Sequence, residues 1–281
     1  MPIRHSPMRQ PLLLLAVIAA TVLLIGDARA QAGEIITVDT LSGEAADGEC
    51  SLAEAIEAAN DDKVVDGCVA GSGDDTINIA VAGTITAPYP YGFDITSNMT
   101  VQGASGGTVI TGNDGFDIIV TSRRTPDTVD VTAVTLADMT VQDSRWAGVA
   151  VEDYSNAGLD IRYSVTLENL SIHCNKDGFL HYHVHPKARA GSVHIKDSVI
   201  AGSSAIGVGT RCFGSEVDLS FTVENSIIRG NQRGISADCG RFKLVDSTVA
   251  HSPGIGVYGC GRVESTSLDL VNSTIAHNSS R

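Results

Sequence analysis

The 281-residue chain carries 33 acidic against 19 basic side chains, a formal charge of −14, with 43% apolar residues and 29 glycines. Phosphate backbones and anionic lipid surfaces repel so acidic a chain, which excludes a general nucleic-acid or membrane-surface binder. A polyanionic saccharide would need a locally basic groove or bridging cations, and the apolar content is too high for a disordered chain.

Residues 1–30 read as an export signal. Arg4 and Arg9 start it, an apolar run from Leu12 to Ile25 follows, and Ala28-Arg29-Ala30 forms an A-x-A cleavage pattern. The run is shorter than the roughly 20 residues a membrane span needs, and no later stretch is long and apolar enough. The expectation is a secreted or cell-surface protein with no membrane span after cleavage. Cleavage removes three arginines and one aspartate, moving the charge from −14 to −16. All six cysteines remain, an even number that favours disulfides in an oxidising compartment.

Residues 31–72 are expected to form an N-terminal cap. A short strand at 35–39 precedes the stretch Glu49 to Cys68, which holds the one convincing amphipathic helix. Ser51 with Glu54 makes a capping box, and Leu52, Ala55, Ile56 and Ala59 fall on one face. Asn60 and Asp61 end the pattern. A bridge between Cys50 and Cys68 would staple the helix, a loop of this size contributing roughly 3 kcal/mol by chain entropy.

Residues 73–281 read as strands alone. Short alternating runs at 76–80, 84–86, 93–95, 99–101 and 108–110 are separated by Gly-rich corners. Six aligned windows then begin at Val134, Val165, Val193, Phe221, Phe242 and Leu268. Their first, third and eighth positions are apolar, and their fifth is Asp138, Asn169, Asp197, Asn225, Asp246 or Asn272. Most are followed by a Gly and a short apolar pair, from Gly148-Val149 to Gly256-Val257. An irregular period of 21–31 residues built of strand-turn-strand units signifies a solenoid. Asp and Asn tolerate the left-handed turn between strands, so the six fifth positions are expected to stack as a polar ladder at about 4.8 Å. The length suggests about eight to ten coils at that rise. The last window stops mid-coil at Arg281, which reads as a truncation.

Cys50-Ser-Leu-Ala-Glu-Ala-Ile56 followed by Ala58-Ala59-Asn60 resembles the CSLREA box of a family of bacterial exported right-handed parallel β-helix proteins, with Ala53 in place of the box's arginine. Asp74-Asp-Thr-Ile-Asn-Ile79, Gly83-Thr-Ile-Thr86 and Asn98-Met-Thr-Val-Gln-Gly103 are also similar to that family, over about residues 35–115. The resemblance implies an all-β, right-handed parallel β-helix of the pectin-lyase-like kind, closed by an N-terminal capping α-helix. It implies no defined reaction, and fold does not settle function.

Several residues are candidates for chemistry. His181, His183 and His185 alternate, so a strand would put them on one face where they could ligate a metal, with Leu180, Tyr182 and Val184 facing inward. No carboxylate or cysteine is spaced to complete such a site, and an exposed polar strand face is the expectation. Placing Phe179 inward would disturb that phase. Lys176, Arg211 and Arg233 fall near the first turn or second strand of successive coils and could supply a proton-abstracting base; scattered surface charge is the plainer reading. Thr111-Gly-Asn-Asp-Gly-Phe-Asp117 is faintly similar to calcium-binding nonapeptide repeats but occurs once and reads as a turn. Cys212 and Cys239 lie five residues after their coil glycines, so an inter-coil disulfide is expected, while Cys174 and Cys260 have no assigned partners.

The expected function is a non-catalytic, surface or adhesin-like module recognising carbohydrate or another cell-surface component, without a cofactor. The alternative is a carbohydrate-active enzyme of the pectin-lyase-like fold, a polysaccharide lyase with calcium or a glycoside hydrolase.

Overall fold

The computed structural model describes residues 33–42, 47–88, 92–112, 115–121, 131–153, 162–183, 190–212, 218–259 and 266–279. The chain divides into units Met1–Gln31 and Ala32–Arg281, and every described residue belongs to the second. Residues 1–30, expected to be an export signal, and His185, Cys260 and Arg281 lie outside the described residues.

The described chain is an all-β parallel β-helix with one short α-helix, the class that the repeat predicts. Its strands form three parallel sheets of nine, eight and seven strands. Each complete coil gives one strand to each sheet: Val131–Ala137, Thr140–Gln142 and Ala147–Asp153 are followed by Arg162–Glu168, Ser171–His173 and Asp177–His183. The next coils run Ala190–Lys196, Val199–Ala201, Ile206–Cys212, then Asp218–Glu224, Ile227–Arg229, Arg233–Ala237.

The windows pair in register, so like positions stack. Leu136, Leu167, Ile195, Val223 and Leu244 form one inward column, each fully buried. Val141, Ile172, Ile200, Ile228 and Val249 form a second. The first window positions end in an aromatic stack, where Phe221 and Phe242 lie 4.6 Å apart and 6° from parallel and Phe179 meets Phe221 edge-on. In the sixth window Leu268, Leu270 and Ile275 are exposed.

The first corner of each coil is the expected ladder. Asp138, Asn169, Asp197, Asn225, Asp246 and Asn272 all have φ between 47° and 57°. Asn169 Nδ2 donates to Asp138 Oδ1, and Asn225 Nδ2 to Asp197 Oδ1, both at 2.5 Å. Alternating acid with amide keeps carboxylates from stacking on carboxylates.

A second left-handed column, at the tenth window position, escapes the sequence reading: Asp143, Cys174, Gly202, Gly230, His251 and His277. The next position alternates Ser144, Asn175, Ser203, Asn231, Ser252 and Asn278. Asn231 Oδ1 accepts from Ser203 N–H at 2.8 Å and its Nδ2 donates to Ile200 O at 3.1 Å, and Asn175 and Asn278 repeat the bridge. This explains part of the coil-glycine column: a methyl group on Gly148 or Gly207 would lie 2.6 Å from the amide of Asn175 or Asn231.

The helix spans Leu52–Asp61. Ser51 Oγ accepts from Glu54 N–H, and Glu54 Oε2 accepts from Ser51 N–H at 3.0 Å. Leu52, Ala55, Ile56 and Ala59 are buried, and Asp62 ends the helix at φ 50°. Asn60 ties it to the first coils, accepting from Thr96 N–H and donating to Asp94 O, each at 2.8 Å. The Cys50–Cys68 disulfide brackets it, as expected. Among the described residues no helix is long and apolar enough to cross a membrane.

Candidate functional site

Strand alternation fixes which side chains leave the core on the third sheet. Val149, Phe179, Val208 and Ile235 are in register and fully buried, so their neighbours one residue on, Ala150, Leu180, Gly209 and Ser236, face outward. The column Ala147, Asp177, Ile206 and Arg233 departs from that alternation and shares the outer face: Ala147 packs with Ala150 and Leu180, Asp177 lines the outer cavity, Ile206 lies against Gly209, and Arg233 is exposed. On this face Ala147, Ala150 and Leu180 form a small apolar patch separate from the main core, with Phe116 against it.

That patch floors a cavity of ≈ 300 Å³ lined by Phe116, Trp146, Glu152, Lys176, Asp177, Leu180 and Arg211. Trp146 is 52% exposed. Its ring stacks on Phe116, centroids 6.1 Å apart and planes 29° from parallel. Lys176 Nζ stands 4.4 Å from the centre of the Trp146 ring, a cation–π contact. Arg211 comes within 3.8 Å of the nearly buried Asp177 carboxylate. Burial pushes the Asp177 carboxyl up from its usual range, opposed by Arg211, the Ile206 N–H and Lys176. The site therefore presents an aromatic face, two cations and two acids over an apolar floor. A larger space of ≈ 620 Å³ lies along the first corner, where Gln102 and Asn169 both donate to Asp138.

The structure brings Lys176 and Arg211 together in this cavity. Arg233 lies on the same sheet in the next coil, its guanidinium carbon 5.5 Å from the centre of the Tyr258 ring. These cations therefore belong to the third strands and the turns before them, not to first turns or second strands. The reason is the second corner, which adds a turn before each coil glycine and moves all three cations one strand onward.

The histidine expectation is corrected. Phe179 faces inward, so His181 does too; it is buried, stacked at 5.4 Å on Tyr163 and edge-on to Phe221. Leu180 is the residue that faces outward, so there is no exposed histidine face at this strand's centre. The side chain of His183 and all of His185 lie outside the described residues. Among the described residues no group of three His, Cys, Asp or Glu side chains is placed to hold a metal. The Cys212–Cys239 bridge is present and joins successive coils beside Arg211, with Cys174 a free, exposed thiol at the second corner.

Trp146 is the site residue that sequence reasoning missed. It is the only tryptophan, and it stands two residues before its coil glycine, as Lys176 does. Aligning that position would have paired them.

No protein-family model matches the chain, and no curated protein matches it by sequence. Among solved structures it is similar to pectate lyase Pel9A, at 15% identity over 88% of this chain and 78% of that chain, with a TM-score of 0.46. It is also similar to the A-module of Azotobacter vinelandii mannuronan C-5 epimerase AlgE4, at 12% identity over 73% of this chain and 91% of that one, with a TM-score of 0.22. Neither likeness assigns a chemistry to this chain.

Proposed function

We propose that this is an exported β-helix module that binds an acidic polysaccharide across the outer face of its third sheet. The single observation behind this reading is the half-exposed Trp146 with the Lys176 ammonium 4.4 Å from the centre of its ring. An aromatic face receives the apolar side of a sugar ring, and Lys176 and Arg211 offer partners for its carboxylate. On a chain of net charge −14, Lys176 and Arg211 give a polyanion two cationic partners at one cavity, beside Glu152 and Asp177. Two disulfides and the signal-like residues 1–30 support export.

The second reading is an enzyme of the pectin-lyase-like kind, a lyase using calcium or a glycoside hydrolase. It is favoured by Lys176 and Arg211 standing beside an acid held up by burial. Calorimetric titration with a uronic-acid polymer tests the first reading: the chain binds, and Trp146→Ala abolishes binding. Absorbance of unsaturated products, with and without calcium, tests the second. Turnover that disappears in Lys176→Ala or Arg211→Ala replaces the module with the enzyme; no binding and no turnover removes both.

A further inference from the structure

Asp117 is the one acid in a column of glycines. It stands opposite Gly148, with Gly178, Gly207 and Gly234 following in the coils below. Its residue is fully buried, and neither carboxylate oxygen has a hydrogen-bond partner among the described residues. Burying such a group is costly in its charged form, and glycine serves at the same register in every later coil. The carboxyl points at the second corner: a methyl group on Gly112 would lie 2.2 Å from Asp117 Oδ1 and 3.1 Å from the main-chain oxygen of Asp143. Ser144 Cα would lie 2.8 Å from the same methyl group, so only a glycine at 112 lets the Asp117 carboxylate pack beside the Asp143 carbonyl of the next coil. The Asp143 side chain is exposed at that corner, where its Oδ2 accepts from Gln142 Nε2 at 2.9 Å.

We propose that this corner binds one hard divalent cation of the calcium class, with the Asp117 carboxylate as its buried anionic ligand and Asp143 as its ligand on the solvent side. Carboxylate and carbonyl oxygens suit calcium, whose flexible shell also accepts water; magnesium demands stricter octahedral geometry. Gly115-Phe-Asp117-Ile-Ile119 matches the G-x-D-x-U half of the calcium-binding nonapeptide. Its single occurrence fits one ion rather than an array. Without the ion Asp117 is held protonated, its pKa pushed up to about 8 by burial and by Asp143. The site stands apart from the polysaccharide reading and does not depend on it.

The test uses the full chain, stripped with a chelator at neutral pH, with calcium as the probe in calorimetry and thermal melting. Terbium, excited through Trp146, is the second probe. The expected result is one calcium per chain, a raised Tm, sensitised terbium emission and weaker binding of magnesium. Asp117→Asn abolishes these effects and Asp143→Asn weakens calcium binding at least tenfold; should Asp117→Asn not fold, Asp143→Asn decides. Calcium that gives no heat and no Tm shift at millimolar concentration overturns the proposal. So does a calcium effect that survives unchanged in both variants.

Discussion

The corners and the outer face of the third sheet are made by the same coils under opposite rules. Down the first corner every rung is Asp or Asn at positive φ, and down the second the inner position alternates Ser and Asn. Down one outward column of the third sheet the residues are Ala147, Asp177, Ile206 and Arg233, with no common chemistry. A position that must satisfy the backbone repeats, because each coil poses the same problem. A position freed from that duty can vary, and the site is built from such positions.

The sharpest break of the contrast lies inside the stack. Phe221→Ala removes the ring between Phe179 and Phe242 and should cost about 3–5 kcal/mol in denaturant unfolding. A cost no larger than that of a surface change would mean the aromatic stack is not part of the core. The corners come next. Asn231→Ala strands the Ser203 N–H and the Ile200 carbonyl, both buried, and should cost about 1–3 kcal/mol. Asn169→Ala forces alanine to φ 52° on the exposed ladder, about 1–2 kcal/mol, and Asn169→Gly should recover most of that. Equal losses for alanine and glycine at Asn169 would show that the side-chain ladder, not the backbone conformation, holds the corner.

Asp117 gives the pH prediction. Its folded pKa of about 8 lies above the ordinary value of 3.8, so between these the folded chain holds a proton that the unfolded chain has released. Stability of calcium-free protein should therefore fall as pH rises from about 4 to about 8, by at most about 1.4 kcal/mol per pH unit, and level off above. Asp117→Asn should flatten that slope; a wild-type slope kept in the variant would assign it to other groups. Smallest in stability is Lys176→Ala on the varied face, expected to change unfolding by less than about 0.5 kcal/mol while weakening polysaccharide binding at least tenfold.

The same contrast sets what the sequence discloses. Repetition is visible without coordinates, so the windows, the Asp138-to-Asn272 ladder, the capping helix and the Cys50–Cys68 and Cys212–Cys239 bridges could all be read from residues alone. The second-corner ladder was equally periodic, but it fell two residues beyond the eight-residue window. His181 misled because alternation gives two faces and does not say which is inside; Phe179 two residues earlier settles it, since a strand places both on one side. Trp146 is hard to see because a site made by departing from a repeat leaves no periodic signal, and the Arg211–Asp177 pair is hidden because Arg211 reaches Asp177 from the opposite end of its neighbouring strand.

The most direct measurement of the groove reading uses the single tryptophan. Emission from Trp146 is followed while a uronic-acid polymer is added, with a neutral glucan as control. The acidic polymer should shift or quench the emission saturably, the glucan should leave it unchanged, and Lys176→Ala should remove the response. Emission indifferent to the acidic polymer, or a response that Lys176→Ala leaves intact, would contradict a carbohydrate site on the third sheet.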